Sequence, residues 1–205
     1  MYLPEELAAV EAAFARRVAP GEALARDADA VSRACRDMAL RFHQGGKLIV
    51  FGNGATVTDA QHVVVEFVHP VIVGKRALPA ISLTNDAATV TGIARADSFD
   101  NVFAVQLGLL AAPVDIALGL STDGACGNVR EGLRVARELG LLTVALVGAD
   151  GGEIGRGGHA DHVLTARADD PRVVKEVHVT TYHILWELVH VFLEQPGLLG
   201  PRVFA

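Results

Sequence analysis

Short apolar runs alternate along the chain with longer segments whose apolar residues recur every three or four positions. Runs of this kind are typical of buried strands, and the wider spacing is typical of helices that bury one face. Helices are predicted after the strands, and the last one begins at Pro171 and reaches about Glu194. Strands that alternate with helices predict an α/β fold in which a parallel sheet is covered on both faces. The predicted strands are residues 47–51, 78–83, 115–120, 142–147 and about 162–165.

The N-terminal part of the chain is predicted to be helical and to carry no chemistry. Apolar positions from Leu7 to Val18 follow a helical period, and the same period resumes after the Ala-Pro-Gly sequence at 19–21. The pattern therefore predicts two amphipathic helices with narrow apolar seams, which suit contact between helices. We expect residues 1–44 to pack between subunits, with packing on their own domain as the alternative. Residues 45–205 are predicted to form a single domain.

Composition and charge narrow the classes of protein to consider. The 205 residues are 51% apolar, enough for one well-buried domain, yet no apolar run approaches the ~20 residues of a membrane span. The opening stretch does not fit a signal peptide. The net charge of −6 is spread along the chain without a basic stripe for nucleic acid, and Cys35 and Cys126 show no disulfide or metal spacing. We therefore expect a cytoplasmic protein with no membrane contact and no direct nucleic-acid partner.

A glycine-rich turn joins the first predicted strand to its helix. Gly52-Asn53-Gly54 is followed by Thr56 and Thr58, which are placed to cap that helix. The amide hydrogens of the turn would then converge at a helix N-terminus, where an anion or polar ligand can bind. The turn is not GxGxxG, and no acidic residue ends the second strand, so we expect no nucleotide cofactor. The alternative is a tight turn without a ligand.

A second strand-to-helix loop, residues 121–126, is rich in hydroxyl and glycine residues. Ser121 and Thr122 are suited to donate to an anionic oxygen, and a helix that opens near Gly124 would add amides and its dipole. Asp123 either caps this helix or repels a bound phosphate, unless a cation lies between them. The loops after the first and third strands should meet at the edge of the sheet, where the strand order reverses.

Two predicted helices carry candidate acid, base or metal-ligating side chains. His62 and Glu66 stand at i and i+4 on one helix face, where they can share a proton or a metal. An ordinary i,i+4 hydrogen bond is the alternative. Lys175 lies on the last helix, beside a polar flank that indicates either a site or exposure to solvent or a neighbouring subunit. That flank consists of Glu176, His183, Glu187 and His190.

Several short motifs follow one another in a fixed order over nearly the whole chain. They are residues 52–54, residues 59–62 with Glu66, residues 76–81, Asp115, residues 119–122, Asn128-Val129, Gly148, residues 150–152, Ala160-Asp161, and residues 176–178 with His183. In this order they resemble the phosphoheptose isomerases, which belong to the sugar isomerase (SIS) domain superfamily.

The resemblance implies a flavodoxin-like SIS domain, a five-stranded parallel sheet with helices on both faces and an N-terminal helical extension. It implies a homotetramer or dimer whose sites lie between subunits. The implied reaction converts sedoheptulose 7-phosphate, or a related sugar phosphate, to D-glycero-D-manno-heptose 7-phosphate or the corresponding aldose. Glu66 is then the base that moves a proton between C1 and C2, and His183 is the acid/base partner at the sugar oxygens. Where the family holds zinc, His62, Glu66 and His183 would surround it with the residue at position 175.

The resemblance also implies substrate contacts, and some of them depart from the family pattern. The phosphate loop at 121–126 reads Ser-Thr-Asp-Gly-Ala-Cys where the family usually has Ser-Thr-Ser-Gly-Asn-Ser. Lys175 replaces a zinc-binding glutamine, and an ammonium group cannot ligate a metal. Arg95 and Ala96 replace a substrate-contacting Asn-Asp pair. The implied substrate-binding residues are Asn53, Gly54, Ala55, Thr56, Arg76, Asp86, Arg95, Ser121, Thr122, Asp123, Cys126 and Lys175.

These departures leave two hypotheses. In the first, Arg95 or Lys175 balances Asp123, and the protein is an isomerase that does not hold zinc tightly. In the second, it is a non-catalytic binding module, like the SIS proteins that bind a replication initiator. The presence of both Glu66 and His183 favours the enzyme. An open cavity at these two side chains, with Asp123 turned outward, would support the first hypothesis, and a Lys175–Glu66 ion pair would support the second.

Overall fold

The computed structural model describes residues 4–195, 197 and 199. The other terminal positions, which fall in the predicted N-terminal helices and at the end of the predicted domain, lie outside the described residues. The centre is a five-stranded parallel sheet in the order β2-β1-β3-β4-β5. This flavodoxin-like order confirms the predicted fold class. The strands are β1 (Leu48–Gly52), β2 (Ala80–Ser82), β3 (Ile116–Ser121), β4 (Leu142–Gly148) and β5 (His162–Ala166).

Helices connect the strands and cover both faces of the sheet. They are α1 (Pro4–Arg26), α2 (Ala28–His43), α3 (Ala55–Val68), α4 (Ala87–Ala96), α5 (Val102–Leu110), α6 (Gly127–Glu138), α7 (Gly152–Arg156) and α8 (Pro171–Leu193). A short 3-10 turn, Phe99–Asn101, precedes α5. Among the helices that the structure describes, none is both long and apolar enough to cross a bilayer.

Alternate residues of the central strands build two hydrophobic cores. On β1, Leu48 and Val50 point to the face covered by α2, α3 and α8. Ile49 and Phe51 point to the opposite face, where Phe51 lies against Phe103 of α5 with a ring-centroid distance of 5.1 Å. All four side chains of β1 are fully buried, and each contributes about 1.5–3 kcal/mol to folding. The sheet edge that bears the loops after β1 and β3 is therefore rigidly supported from both sides.

The N-terminal helices differ from the prediction in where they break. α1 runs straight through Pro20, and the chain turns at Asp27 instead. Pro20 and Leu24 are buried, so packing in the second half of α1 outweighs the local preference of proline to end a helix. The first half stays open to solvent. Its exposed apolar residues, here called the α1 seam, are Leu7 (53% exposed), Val10 (52%), Phe14 (71%) and Val18 (57%).

The last helix begins as predicted. Pro171 is its first residue, and the carboxylate of Asp170 accepts a hydrogen bond of 3.0 Å from the backbone N–H of Arg172. Proline fits this position because its missing N–H would have had no helical partner. α8 then packs along both α2 and α3. This packing brings α8 beside the helix that follows β1.

Candidate active site

Three acid/base candidates meet where α3 and α8 pack together. The Nε2 atom of His62 lies 3.2 Å from Oε1 of Glu66, one turn further along α3. α8 adds His183, whose ring centroid is 5.2 Å from that of His62. The ligand atoms of these three side chains lie within 4.8 Å of one another. They form one group, called here the α3–α8 cluster.

The α3–α8 cluster opens into a cavity of about 520 Å³. The side chain of Glu66 is only 12% exposed, whereas that of His62 is 42% exposed. A carboxylate at the wall of an open cavity is within reach of a small polar ligand, so Glu66 is placed where a general base would be needed. The remaining wall residues are Val71, Ile72, Lys75, Trp186, Glu187 and Val191.

The segment between α3 and β2 forms one wall of this cavity and is fixed to the end of α8. The ammonium of Lys75 is 2.6 Å from Oε1 of Glu194. The imidazole Nε2 of His190 is 2.9 Å from the backbone carbonyl oxygen of Arg76. The side chain of Arg76 is exposed and has no hydrogen bond or ion pair within the described residues. A cationic side chain without a partner thus stands next to the cavity wall.

Tyr182 connects the cluster to the core beneath it. Its hydroxyl lies 2.8 Å from Nδ1 of His62, and its ring meets the rings of both His62 and His183 edge-on. Tyr182 is 1% exposed, and this burial raises the pKa of its phenol well above the usual value. The phenol is therefore neutral and able to donate a hydrogen bond.

Lys175 lies apart from the α3–α8 cluster. Its ammonium is 2.6 Å from Oδ1 of Asp59 and 3.0 Å from the hydroxyl of Thr58, in the first turns of α3. At a helical rise of about 1.5 Å per residue, position 175 is about 12 Å along α8 from His183. Within one chain, the structure does not bring Lys175 to the candidate metal ligands. Nor does it form the Lys175–Glu66 ion pair that would seal the cavity.

The turn after β1 is fixed by side chains that do not act as predicted. Thr56 and Thr58 do not cap α3, because Gly54 is the N-cap residue and no side chain caps this helix. Thr56 already lies inside the helix. It is 2% exposed, and its hydroxyl donates to the carbonyl of Asn53 at 2.8 Å and approaches that of Leu120 at 3.4 Å. The threonine therefore ties the turn to the end of β3.

The loops after β1 and β3 meet across the switch point, as predicted. The side-chain amides of Asn53 and Asn128 are paired in both directions, with N···O distances of 2.5 and 3.0 Å. Gly52 makes this approach feasible, because a Cβ at that position would lie 3.0 Å from the carbonyl oxygen of Leu120. The two loops form one continuous polar rim.

The loop after β3 uses its carboxylate differently from a helix cap. α6 begins after Cys126 instead of near Gly124, because Gly124 has a positive φ of 68° that a helix does not tolerate. The exposed Asp123 accepts hydrogen bonds from the Ser121 hydroxyl at 3.1 Å and the Ala125 N–H at 2.9 Å. The carboxylate of Asp123 therefore accepts hydrogen bonds from its own loop, and these donors are not free for a ligand.

Neither of the expected cations balances that carboxylate. Arg95 lies exposed in the last turn of α4 with no polar partner within the described residues, and Lys175 is bound elsewhere.

Asp86 is the N-cap of α4, where the hydroxyl and N–H of Thr89 hold the pKa of its carboxyl below the usual value. Asp86 and Asn53 thus stand on neighbouring loops at the same edge of the sheet.

Three residues of this region were not assigned a role from the sequence. Asp59 lies one turn before His62 on α3, Tyr182 directly precedes His183, and Asn128 belongs to a motif of the resemblance. An aspartate at i−3 on the face of His62 and an aromatic neighbour of His183 were the available signals. Their partners depend on how α3 and α8 pack, which spacing along the chain does not show.

Comparisons with known proteins identify the family of this chain. The model of the SIS domain family matches residues 15–148. The phosphoheptose isomerase of Solidesulfovibrio magneticus is 39% identical over 175 residues, which cover 85% of this chain and 84% of that protein. The solved structure of a phosphoheptose isomerase from Francisella tularensis has a TM-score of 0.84 and 26% identity, covering 91% of this chain and 98% of that one. The phosphoheptose isomerase structure from Neisseria gonorrhoeae has a TM-score of 0.81 and 27% identity, covering 89% and 97%. This chain therefore belongs to the phosphoheptose isomerase family of SIS domain proteins.

Proposed function

We propose that this protein is an aldose–ketose isomerase that converts sedoheptulose 7-phosphate to D-glycero-D-manno-heptose 7-phosphate. The observation that carries the proposal is the convergence of His62, Glu66 and His183 at one open cavity. The family supports it, because relatives that share most of this chain are named phosphoheptose isomerases. We place the enzyme in the cytoplasm, in keeping with its two free cysteines.

The reaction moves one carbon-bound proton from C1 to C2 and, in net terms, one oxygen-bound proton from the C1 oxygen to the C2 oxygen. The Glu66 carboxylate removes a proton from C1 of the ketose while a proton reaches the C2 oxygen, which gives an enediol. The proton on the C1 oxygen then leaves, Glu66 returns its proton to C2, and the aldehyde forms at C1. His183 serves the two oxygens as donor and acceptor, a role that suits imidazole near neutral pH.

The same cluster fits a divalent cation. Two imidazoles and one carboxylate are the protein ligands of many catalytic zinc sites, which keep a further position open for water or substrate. His62, Glu66 and His183 would hold such an ion, and it would polarise the sugar oxygens. Lys175 adds no ligand to this set, because its ammonium is engaged by Asp59.

We further propose that the complete site lies between subunits of a homotetramer or dimer. Thr56 and Glu66 are at opposite ends of α3, about 15 Å apart at ~1.5 Å per residue. A seven-carbon sugar phosphate is shorter, about 10 Å from C1 to phosphorus when fully extended with bonds of about 1.5 Å. One substrate therefore does not reach from the loops to Glu66 along the same helix. The exposed α1 seam supports assembly, because a contiguous apolar stripe is costly in water.

Two observations favour the enzyme over a non-catalytic binding module. The cavity at Glu66 and His183 is open, and Lys175 pairs with Asp59 instead of sealing it. Asp123 is exposed and is held by its own loop, so it does not block the cavity.

The decisive experiment measures turnover of sedoheptulose 7-phosphate by following the aldose product with NMR. Glu66→Gln should lower kcat at least ~100-fold, since a positioned general base contributes about 10²–10⁴-fold. Light scattering should show the same assembly as the wild type. Glu138→Gln, on the exposed end of α6, is the matched control and should retain activity. Full turnover in Glu66→Gln would mean that another group is the base, and absence of turnover in the wild type would favour the binding module.

A further inference from the structure

The hydroxyl of Tyr182 has a single acceptor within the described residues. Its oxygen lies 2.8 Å from Nδ1 of His62, and no other hydrogen bond to this oxygen is present there. Tyr182 is 1% exposed, so water does not readily take the place of that acceptor. A buried hydroxyl without an acceptor is unfavourable, and tyrosine hydroxyls in protein interiors almost always find one. The hydroxyl therefore donates, and Nδ1 of His62 accepts.

This assignment decides where the proton of His62 resides. A neutral imidazole has one donor nitrogen and one acceptor nitrogen, so an accepting Nδ1 leaves the N–H on Nε2. Nε2 is the atom that faces Glu66, at 3.2 Å from its Oε1. The edge-on contact between the two rings, with centroids 5.4 Å apart, keeps the imidazole in this orientation. In the metal-free site, His62 thus donates to the carboxylate of the candidate base.

We propose that Tyr182 is a positioning residue that fixes His62 as its Nε2–H tautomer and so favours a metal-free acid/base site over metal binding. A cation in the α3–α8 cluster must bind the nitrogen that faces Glu66. That nitrogen has to lose its proton, because only an unprotonated imidazole nitrogen is a ligand. The proton would move to Nδ1, and the buried hydroxyl of Tyr182 would lose its acceptor.

The same hydrogen bonds have a consequence for the isomerase. The Tyr182–His62–Glu66 chain holds the carboxylate in one rotamer at the cavity wall, which is the orientation that a base needs at the moment of proton transfer. Loss of the tyrosine hydroxyl should lower kcat and leave KM nearly unchanged, because no substrate contact is removed. This part of the inference rests on the proposed function. The tautomer and the metal preference do not.

The first test needs no variant. In protein labelled with ¹⁵N-histidine, long-range ¹H–¹⁵N spectra at pH 8 distinguish a protonated from an unprotonated ring nitrogen, and His62→Gln identifies the resonances of His62. The wild type should show the proton on Nε2. A proton on Nδ1 in the wild type would overturn the proposal.

The second test compares Tyr182→Phe with Tyr2→Phe, a change at the only other tyrosine of the sequence. Tyr182→Phe should give a mixture of His62 tautomers and should bind Zn²⁺ about 10-fold more tightly. Groups that contact a metal ligand usually support the metal, and their loss weakens binding about 10–100-fold; a gain on removal of Tyr182 would therefore be the opposite of the usual effect. Tyr2→Phe should match the wild type in chelator-competition titrations. Unchanged Zn²⁺ binding by Tyr182→Phe would show that Tyr182 does not influence metal affinity, and weaker binding would show that it favours the metal. Either result would overturn the proposal. Both readouts are independent of turnover, so a failure of the proposed reaction would leave them interpretable.

Discussion

Replacing Lys175 by methionine should destabilise the fold through a carboxylate on a different helix. The ammonium of Lys175 lies 2.6 Å from Oδ1 of Asp59. Asp59 is 3% exposed, and its Oδ2 has no hydrogen-bond partner in the part of the chain that the structure describes. Methionine keeps most of the apolar stem of lysine but removes the charge. Asp59 would then be a buried carboxylate with no hydrogen bond at either oxygen from the described residues.

The exposure of the two partners sets the magnitude. Loss of one partner from a fully buried ion pair costs about 3–5 kcal/mol, whereas exposed pairs contribute about 0–1 kcal/mol. The side chain of Lys175 is 35% exposed and that of Asp59 is 4% exposed, so water reaches one end of the pair. We therefore expect the free energy of unfolding to fall by about 2–3 kcal/mol, between the two limits. Adding Asp59→Asn should restore at least half of the loss, because a neutral amide is less costly to bury.

Urea unfolding followed by circular dichroism measures this loss. The protein concentration is held constant, because assembly makes the apparent stability depend on it. Glu176→Gln is the control: it lies on the next position of α8 and removes an ion pair with Arg17 whose side chains are 49% and 36% exposed. Its expected cost is below about 1 kcal/mol. A loss in Lys175→Met no larger than that of the control, or no recovery in the double variant, would refute the reasoning.

Three further predictions concern the glycine loop, the thiols and the cap of α8. Gly124→Ala should lower the melting temperature, because the residue has φ +68° and a Cβ there would overlap the backbone after β4. Gly92→Ala is the control and should not lower it, because a Cβ at that position has no heavy atom within 4 Å. Burial raises the pKa of the Cys35 thiol to about 12, so a thiol reagent at pH 8 should label only Cys126 unless urea is added. A hydrogen bond from the arginine two positions on lowers the pKa of Asp170 to about 2. Since that pKa is below the unfolded value of about 3.9, its contribution to stability is present above about pH 4 and lost towards pH 2. Asp170→Asn should lower the melting temperature at pH 7 and not near pH 2, and a difference that does not vary with pH would contradict this.

The fold was predictable because its determinants are local. Short apolar runs such as the one at β1 predict a buried strand. Pro171 marks the start of one helix, and Gly140 marks the end of another. The break between α1 and α2 was not predictable in the same way. Proline favours the end of a helix at Pro20, but burial in the second half of α1 outweighs that preference. The assignment of Thr56 as a cap failed similarly, since its hydroxyl finds a better partner in the turn before it.

The candidate site was predictable only where its residues share a helix. His62 and Glu66 are recognisable from their spacing. His183 is recognisable from the polar flank of the last helix, and the resemblance gave it an acid/base role. The pairing of Lys175 with Asp59 and the bond from Tyr182 to His62 depend on the register of α8 against α3. That register is set by how the two helices bury their apolar faces against the sheet, which no single segment specifies. The sequence therefore identified the candidate acid/base groups but not the neighbours that orient them.

The geometry of α3 limits how this scaffold can be redesigned. α3 is a helix of 14 residues that begins at the polar rim and carries the candidate base, Glu66, in its last turn. A different turn grafted after β1 would tilt the first turn of α3. Because the helix moves as one unit, Glu66 near its other end would be displaced as well. If Glu66 is the base that we propose, changes made at one end to accept a new sugar will alter proton transfer at the other end. If the site is shared between subunits as proposed, they will do so in two neighbouring sites. Directed evolution of this enzyme should accordingly vary both ends of α3 together.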